Sequence, residues 1–306
     1  MTITSGHLCS GYDGLGMALT LAGVAHTPLW HVENEPDAAR VLELNSLAPN
    51  LGDLTDPGLF ELLSRVDILT AGVPCQPVSV QGRKRGKADK RWLWPYARTA
   101  IRAAEPFRVF LENVGNLVTI EGGRLHAEIL SNLREDGFAV RWGVYGACEV
   151  GAAHHRHRWF LLADRVVNRP APEAVHVRRM ACGYPLRLGR LLPTPRAGDE
   201  KRGVEPDRAA RTGTGPTLND AVGTLAPGTW GIYEGAIRRH EATMGAPAPL
   251  PLDEHGRLSG RFAEWLMMLP AGHISGRGLQ RQDVVRLAGN GVVPDQARFA
   301  YQRLGG

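Results

Sequence analysis

The stretch Val66-Asp-Ile-Leu-Thr-Ala-Gly-Val-Pro-Cys-Gln-Pro-Val-Ser79 is the starting point for the fold of this chain. Residues 66–71 have the length and apolar composition of a buried strand. Gly72-Val-Pro74 then ends the strand, because proline lacks a backbone donor and glycine favours a turn. Cys75 is therefore expected just past the carboxyl end of a strand, where open α/β sheets place their chemistry. A buried structural cysteine explains the local pattern equally well.

Strand and helix patterns alternate on both sides of this stretch, which is typical of a doubly wound α/β fold with a parallel sheet. Strands are predicted at 2–8, 29–32, 109–112, 140–145 and 159–163, and helices at 15–21, 37–47, 57–64, 94–104, 124–135, 261–268 and 296–304. The alternation of strand and helix patterns ends after residue 164, in a region rich in Arg, Pro and Gly. We therefore expect a sheet domain of residues 1–164 plus 259–306 and a smaller, irregular domain of residues 165–258.

The composition is that of a globular protein with a mild preference for anionic partners. Of the 306 residues, 43% are hydrophobic and 22% charged, and the net charge is +5. No apolar stretch approaches the length of a membrane span, and no signal-peptide pattern is present. The four cysteines lack CxxC or paired spacing, which argues against a zinc site or a disulfide framework. We expect a cytoplasmic protein without membrane or metal.

A glycine-rich turn links the first predicted strand to the first helix. Gly11 and Gly14 lie in this turn, and Glu33 ends the next strand, 22 residues after Gly11. This is the layout of a nucleotide-binding fingerprint, in which the acid binds ribose hydroxyls. The pattern favours an adenosine-containing cofactor. Asp53 follows a third strand-like segment, where it is suited to an adenine amino group or, equally, to capping a turn.

Two further motifs lie at the ends of predicted strands. Glu112 ends a strand, so that it and Cys75 are expected at one edge of the sheet. His154-His-Arg-His-Arg158 precedes the 159–163 strand, and its two arginines point the same way on an extended chain. They suit an anion or a carbonyl oxygen, whereas they would repel a metal cation from the histidines. A solvated basic turn is the alternative.

Four motifs together resemble the DNA (cytosine-5)-methyltransferase family. They are Gly72-Val-Pro-Cys-Gln-Pro-Val-Ser79, Glu112-Asn-Val114, His154-His-Arg-His-Arg158 and Ala288-Gly-Asn-Gly-Val-Val-Pro294. The resemblance covers about residues 6–164 and 258–304. It implies a Rossmann-like methyltransferase sheet that uses S-adenosylmethionine, with the target-recognition domain in the uncovered region. It also implies a DNA-associated enzyme of a bacterial or phage-infected cell, of the restriction-modification kind, that acts on double-stranded DNA. We expect a monomer, because one active site and one recognition region suffice.

The resemblance also implies a role for each site residue. Cys75 would attack C6 of a flipped-out cytosine, Glu112 would hold or protonate N3, and Arg158 would contact O2 with the support of Arg156. C5 would then take the methyl group, and loss of its proton and of Cys75 would complete the cycle. The implied cofactor contacts are Glu33 to the ribose and Asp53 to the adenine amine, with Gly11, Gly14, Pro74, Leu93, Asn290 and Gly291 lining the rest.

Some residues depart from the family pattern. His7 replaces an acid or small polar residue, Asp13 a turn glycine, Val73 a phenylalanine, His154 a glutamine and Asn34 an apolar residue. None of these changes removes a reacting group, so we expect an active enzyme.

Three segments keep two interpretations each. The basic segment 83–91 is either a loop that closes over DNA phosphates or a solvated connector. Segments 192–196 and 217–221 are either backbone contacts to DNA or plain turns.

Other functions remain open at this point. One is cytosine-5 methylation of tRNA by a relative with the same motifs, and another is DNA binding by a catalytically silent homologue. Retention of Cys75, Glu112 and Arg158 argues against the silent form. A nicotinamide oxidoreductase would explain Gly11 and Glu33 but not the Pro-Cys-Gln segment. The recognition sequence cannot be read from these motifs, because base contacts depend on how the irregular region folds.

Overall fold

The computed structural model describes residues 2–74, 92–166, 175–177, 190–201, 204–205, 215–226 and 228–306. The chain forms two compact units. Met1–Tyr145, His157–Met180 and Ala297–Gly306 make up the first, and Gly146–Arg156 and Ala181–Gln296 make up the second. These boundaries differ from those of the expected domains, 1–164 plus 259–306 and 165–258. A target-recognition role for the irregular region stays a prediction.

The first unit is built on a seven-stranded sheet with the order β2-β1-β3-β4-β6-β5-β7. β1 pairs in parallel with β2 and β3, and β3 with β4, whereas β6 runs antiparallel to β4. The expectation of a parallel sheet is therefore right for four adjacent strands and wrong for β6. The strands are β1 (Ile3–Leu8), β2 (His26–Val32), β3 (Ile68–Ala71), β4 (Arg108–Val114), β5 (Phe138–Gly146), β6 (His157–Arg165) and β7 (Val175–Val177).

Most helices of the first unit begin and end close to the expected residues. α2 shows why, because Pro36 stands at its first position and the Glu35 side chain accepts from the backbone N–H of Ala38. The helices of this unit are α1 (Gly14–Leu21), α2 (Pro36–Asn45), α3 (Leu59–Leu62), α4 (Trp94–Ala104) and α5 (Arg124–Glu135). The second unit contributes α6 (Leu218–Gly223), α7 (Glu234–Met244), α8 (Gly260–Leu266) and α9 (Arg281–Asn290), and α10 (Pro294–Arg303) follows.

The sequence missed α7 because its buried face is short and includes a histidine. Ala236, Ile237 and His240 are the buried residues of this helix, so that its apolar periodicity is weak. In contrast, the expectation that 262–270 packs as core is confirmed for Phe262 and Leu266, both of which are fully buried.

The central strands lie in the core of the first unit. Every residue of β3 is buried, and Val109 to Leu111 of β4 are buried as well. Continuous apolar strands of this kind are typical of sheets covered by helices. The loop that leads to Cys75 therefore leaves a rigid, fully buried strand.

Residues 297–306 complete the first unit from far along the chain. Tyr301 packs edge-on against Phe110, with ring centroids 5.2 Å apart, and its hydroxyl accepts from Arg108 at 2.8 Å. Phe299 lies edge-on to Tyr145 at 5.9 Å. These contacts join α10 to strands β4 and β5.

One cysteine departs from the expectation drawn from spacing. Cys148, which is fully buried, is disulfide-bonded in the structure. The cysteine spacing argued against a disulfide framework, but spacing along the sequence does not report which cysteines approach each other in the fold.

No helix within the described ranges combines the length and the apolar composition needed to cross a bilayer.

Candidate active site

The loop that leads to Cys75 starts at the carboxyl end of β3. Gly72 donates its N–H to the carbonyl of Leu8 at 3.3 Å. A Cβ at Gly72 would come within 3.4 Å of the Cys9 carbonyl oxygen and 3.9 Å of the Glu112 carboxylate. These are ordinary van der Waals distances, so Gly72 lies beside the end of β4. Cys75 itself, like the basic segment 83–91, lies outside the described residues.

Glu112 and Arg158 form a buried ion pair at the ends of β4 and β6. The antiparallel register places Val114 opposite Arg158, which brings Glu112 to the diagonal position on the same face. Arg158 Nε lies 2.8 Å from Glu112 Oε1, and the two side chains are 17% and 11% exposed. Two residues 46 positions apart in the sequence thus meet because β6 reverses direction.

Asn113 ties β4 to the loop that leads to Cys75. Its side-chain amide donates to the carbonyl of Val73 at 2.9 Å, and its Oδ1 accepts from the N–H of Val114. The sequence analysis gave Asn113 no role of its own. The signal available was an amide directly after the strand-ending acid, which suits a residue that satisfies loop backbone groups.

Arg156 is almost completely buried, with 2% exposure, within the second unit. Its guanidinium donates to the carbonyl of Gly289 at 3.3 Å and to that of Gly291. These carbonyls lie at the end of α9, where a cation is favoured by the helix dipole. The side chain of Gln296 donates to the Arg156 carbonyl at 2.9 Å. Arg156 thereby fixes the glycine-rich turn that contains Asn290, which is exposed.

Gly289 packs against residues 196 and 197 of the irregular region. A Cβ at this position would collide with the backbone of Arg196 and Ala197. The segment 192–196 is thus packed on the second unit's own helix α9. The segment 217–221 starts α6, where Thr217 and Asp220 form a reciprocal capping box.

Glu33 directly follows β2, with its carboxylate turned to the glycine-rich turn. Oε2 accepts from the N–H of Gly11 at 2.8 Å, and Oε1 accepts from the N–H of Glu35 at 2.9 Å. Burial raises the pKa of Glu33 above its usual value. Each oxygen keeps a further lone pair for a donor. Gly11 has a positive φ of 55°, and nothing lies within 4 Å of where its Cβ would stand. The space beside Gly11 is open, and the Glu33 carboxylate can accept further hydrogen bonds. Together they fit the diol of a nucleoside cofactor.

The remaining cofactor candidates lie at several places in the two units. Asp53 accepts from Asn34 at 2.9 Å and from both the N–H and hydroxyl of Thr55, and these bonds lower its pKa. The turn-capping interpretation of Asp53 is therefore correct, and adenine contact stays a prediction. Gly14 begins α1, Pro74 follows β3 and Leu93 caps α4, all in the first unit. Asn290 and Gly291 belong to the second unit.

Comparison with known proteins identifies the family. Residues 3–184 match the C-5 cytosine-specific DNA methylase family. The chain belongs to this family. The resemblance inferred from the motifs is thereby confirmed, and the chain is a DNA (cytosine-5)-methyltransferase with a Rossmann-like sheet. Enzymes of this family use S-adenosylmethionine in general.

Relatives of the methyltransferase include several type II enzymes. M.NgoMIV of Neisseria gonorrhoeae is 26% identical over 87% of this chain and 88% of its own length. M.NaeI of Lentzea aerocolonigenes is 28% identical over 69% of this chain, which spans about half of that protein. The solved structures of Dnmt2 from S. pombe and DNMT2 from Spodoptera frugiperda are 16% and 14% identical. Both have TM-scores of 0.59 and share the fold over 99% of this chain.

A buried polar cluster lies beside the glycine-rich turn of the methyltransferase. It includes His7 and Asp13, two of the positions that depart from the family pattern. His7 Nδ1 lies 2.8 Å from the Thr70 hydroxyl and 3.6 Å from Asp13 Oδ1, and Nε2 lies 2.9 Å from the Ser5 hydroxyl. Burial, with His31 and His26 nearby, lowers the pKa of His7 well below its usual value. Asp13 has a φ of 67° and a side chain 20% exposed. Burial raises the pKa of Asp13 to about 7.

Replacing Asp13 with Asn is expected to stabilise the methyltransferase more at pH 8 than at pH 5. Because the folded-state pKa of about 7 exceeds the usual value of 3.8, protonated Asp13 favours the fold. This contribution is complete below pH 3.8 and is lost as the pH rises through 7. The free energy of unfolding of Asp13→Asn relative to wild type should therefore grow by on the order of 2 kcal/mol over this range. Urea denaturation at both pH values measures the difference.

Asp13→Gly is the matched control for this prediction. It removes the same carboxylate and also relieves the positive φ, which adds a pH-independent gain of about 1 kcal/mol. Parallel pH profiles of wild type and Asp13→Asn would contradict the assignment of a raised pKa to Asp13.

Proposed function

We propose that this methyltransferase transfers a methyl group from S-adenosylmethionine to C5 of a flipped-out cytosine in a specific duplex DNA sequence, through a covalent bond between Cys75 and C6. The observation that carries the proposal is the Glu112–Arg158 pair at 2.8 Å, beside the loop that leads to Cys75. An acid and a guanidinium on one sheet edge match the N3 and O2 edge of a cytosine.

In this mechanism Glu112 makes the base electrophilic. It holds or protonates N3, which draws electrons from the ring and opens C6 to attack by the Cys75 thiolate. Arg158 donates to O2 of the base while its Nε stays on Glu112, so that both groups are oriented before the base arrives. Bound S-adenosylmethionine supplies an electrophilic methyl group for C5. Loss of the C5 proton to solvent and elimination of the Cys75 thiolate then restore the ring, N3 returns its proton to Glu112, and S-adenosylhomocysteine leaves as the second product.

The cytosine must leave the helix for this chemistry. Atoms C5 and C6 of a stacked base are out of reach of a buried sheet edge, so the nucleotide is extruded into the site. We propose that the basic segment 83–91 binds DNA phosphates during this step, and that residues 165–258 read the target sequence.

For the cofactor we propose that Glu33 accepts hydrogen bonds from the ribose hydroxyls. Its two oxygens already orient Gly11 and Glu35, which fixes the carboxylate for this task. Asp53 and its partner Asn34 would bind the adenine edge. Gly11, Gly14, Pro74, Leu93, Asn290 and Gly291 would line the remaining contacts.

We further propose that the enzyme works as a monomer on double-stranded DNA in the bacterial cytoplasm, without a metal. Relatives from Neisseria gonorrhoeae and Lentzea aerocolonigenes support a bacterial setting.

Bisulfite sequencing tests the proposed function. The chain is expressed in a host that lacks cytosine-5 methylation, and plasmid DNA is compared with DNA from cells that carry the empty vector. We expect protected cytosines in one sequence context, which would also reveal the recognition site. If no cytosine is protected, tritiated methyl transfer to duplex DNA and to tRNA separates the alternatives. Label in tRNA alone would replace DNA by tRNA as substrate, and no label in either would favour a silent DNA-binding protein.

A further inference from the structure

His240 of α7 is fully buried within the second unit. Its ring lies flat on the Trp265 indole, with centroids 3.9 Å apart and an interplanar angle of 22°. Nδ1 lies 3.1 Å from the backbone nitrogen of Ala153, and Nε2 lies 3.0 Å from the carbonyl oxygen of Trp265. Both ring nitrogens are therefore engaged with backbone groups.

These two partners allow a single protonation state. The N–H of Ala153 can only donate, so Nδ1 of His240 must carry no proton. The carbonyl of Trp265 can only accept, so Nε2 must carry the proton. Burial lowers the pKa of His240 to about 4, which agrees with a neutral ring at physiological pH. A second proton on Nδ1 would place a donor against the donor of Ala153.

Ala153 belongs to the segment that carries the motif arginines. Arg156 follows three residues later and Arg158 five residues later. The same segment is held by Leu192, whose N–H donates to the Ala153 carbonyl at 2.8 Å and whose carbonyl accepts from His155 at 3.1 Å. Arg239, the neighbour of His240, donates to the Ala152 carbonyl at 3.3 Å. α7 thus fixes both sides of the peptide group that joins Ala152 to Ala153.

We propose that His240 is a positioning residue of the methyltransferase: through the amide of Ala153 it sets the placement of Arg156 within the second unit. This inference rests on the role in the active site that is proposed for Arg156. An error of about 1 Å in a catalytic group costs up to about 100-fold in rate. His240 therefore affects turnover, in addition to its packing on Trp265.

Within the described ranges, the charged side chains that act on the pKa of His240 lie on its own helix. Arg239 and Glu241 flank it on α7 and have opposite effects on its pKa, with burial as the larger cause. Beside Trp265, the Glu264 carboxylate is bound to backbone N–H groups of Gly272 and Ser275. His154 lies buried next to Ala153. The carboxylate of Glu264 is thus occupied by its own loop.

Two substitutions separate positioning from packing. His240→Asn keeps an acceptor near the place of Nδ1, whereas His240→Gln keeps a donor near the place of Nε2 and loses the acceptor for Ala153. Both remove the aromatic ring from Trp265, so both should lower the melting temperature. We expect His240→Gln to lower kcat by about 10- to 100-fold with little change in KM for duplex DNA, and His240→Asn to keep kcat within about threefold of wild type.

Hydrogen exchange gives a readout that does not depend on activity. Mass spectrometry should show faster exchange at residues 150–156 in His240→Gln than in His240→Asn, because only the former frees the Ala153 amide. Equal exchange in the two variants would show that His240 does not hold the Ala153 amide. Faster exchange with an unchanged kcat would overturn the positioning role. Failure of the proposed function is distinct from both, since it would appear as no methyl transfer by the wild-type enzyme.

Discussion

Replacing Cys75 with alanine is expected to abolish methyl transfer to DNA, with a loss of about 10⁴-fold or more, while binding of the duplex is kept. Loss of a nucleophile removes the covalent route entirely, and what remains comes from binding and orientation alone. Tritiated methyl transfer measures the rate, and an electrophoretic shift with the target duplex measures binding.

A duplex with 5-fluorocytosine at the target position shows whether Cys75 forms the bond. Fluorine cannot leave C5 as a cation, so the enzyme–DNA adduct persists after methyl transfer and survives denaturing electrophoresis. Wild type should form this adduct and Cys75→Ala should not. Cys9→Ala is the matched control and should keep the adduct, because burial raises the pKa of the Cys9 thiol and keeps it unreactive. An adduct formed by Cys75→Ala would refute the assignment of the nucleophile.

The second large effect is expected for Glu112→Gln. Glutamine keeps the shape of the side chain but cannot protonate N3 and carries no charge for Arg158. Removal of a positioned proton donor typically costs about 10² to 10⁴ in rate. We expect a fall of this size in single-turnover methyl transfer, with the affinity for S-adenosylmethionine unchanged, since Glu33 remains bound to Gly11.

Stability must be measured alongside this rate. The Arg158 side chain is 17% exposed and would lose its anionic partner, which costs about 3 kcal/mol for a buried pair. Asn113→Ala serves as a comparison, because it loosens the loop at Val73 and leaves the acid in place. If Glu112→Gln stayed within tenfold of the wild-type rate while Asn113→Ala did not, loop order rather than the acid would limit the reaction.

The sequence predicted the sheet unit well because its signals are local. β3 is buried at every position and apolar at all but Thr70, and α2 carries a proline at its start, so each element is specified by its own residues. The nucleotide-type turn and Glu33 were likewise visible, since both lie at strand ends. The Gly11–Glu33 hydrogen bond agrees with that interpretation.

What the sequence did not reveal depends on contacts between distant segments. The Glu112–Arg158 pair requires the antiparallel register of β4 and β6, and the strand pattern alone does not encode direction. His240 was overlooked because a lone histidine in an irregular region carries no periodic signal. Its partners, Ala153 and Trp265, are 87 and 25 residues away.

The contacts of residues 297–306 bear on how the enzyme is made. Tyr301 covers Phe110 and binds Arg108, yet 193 residues separate Tyr301 from Arg108. While the ribosome is still translating the region between them, β4 lacks the cover that Tyr301 provides. The sheet therefore reaches its final form only after α10 has been synthesised, and its folding is dominated by non-local contacts, which slow folding. During this interval Phe110 lacks its contact with Tyr301, and apolar surface that is exposed in this way is prone to aggregation.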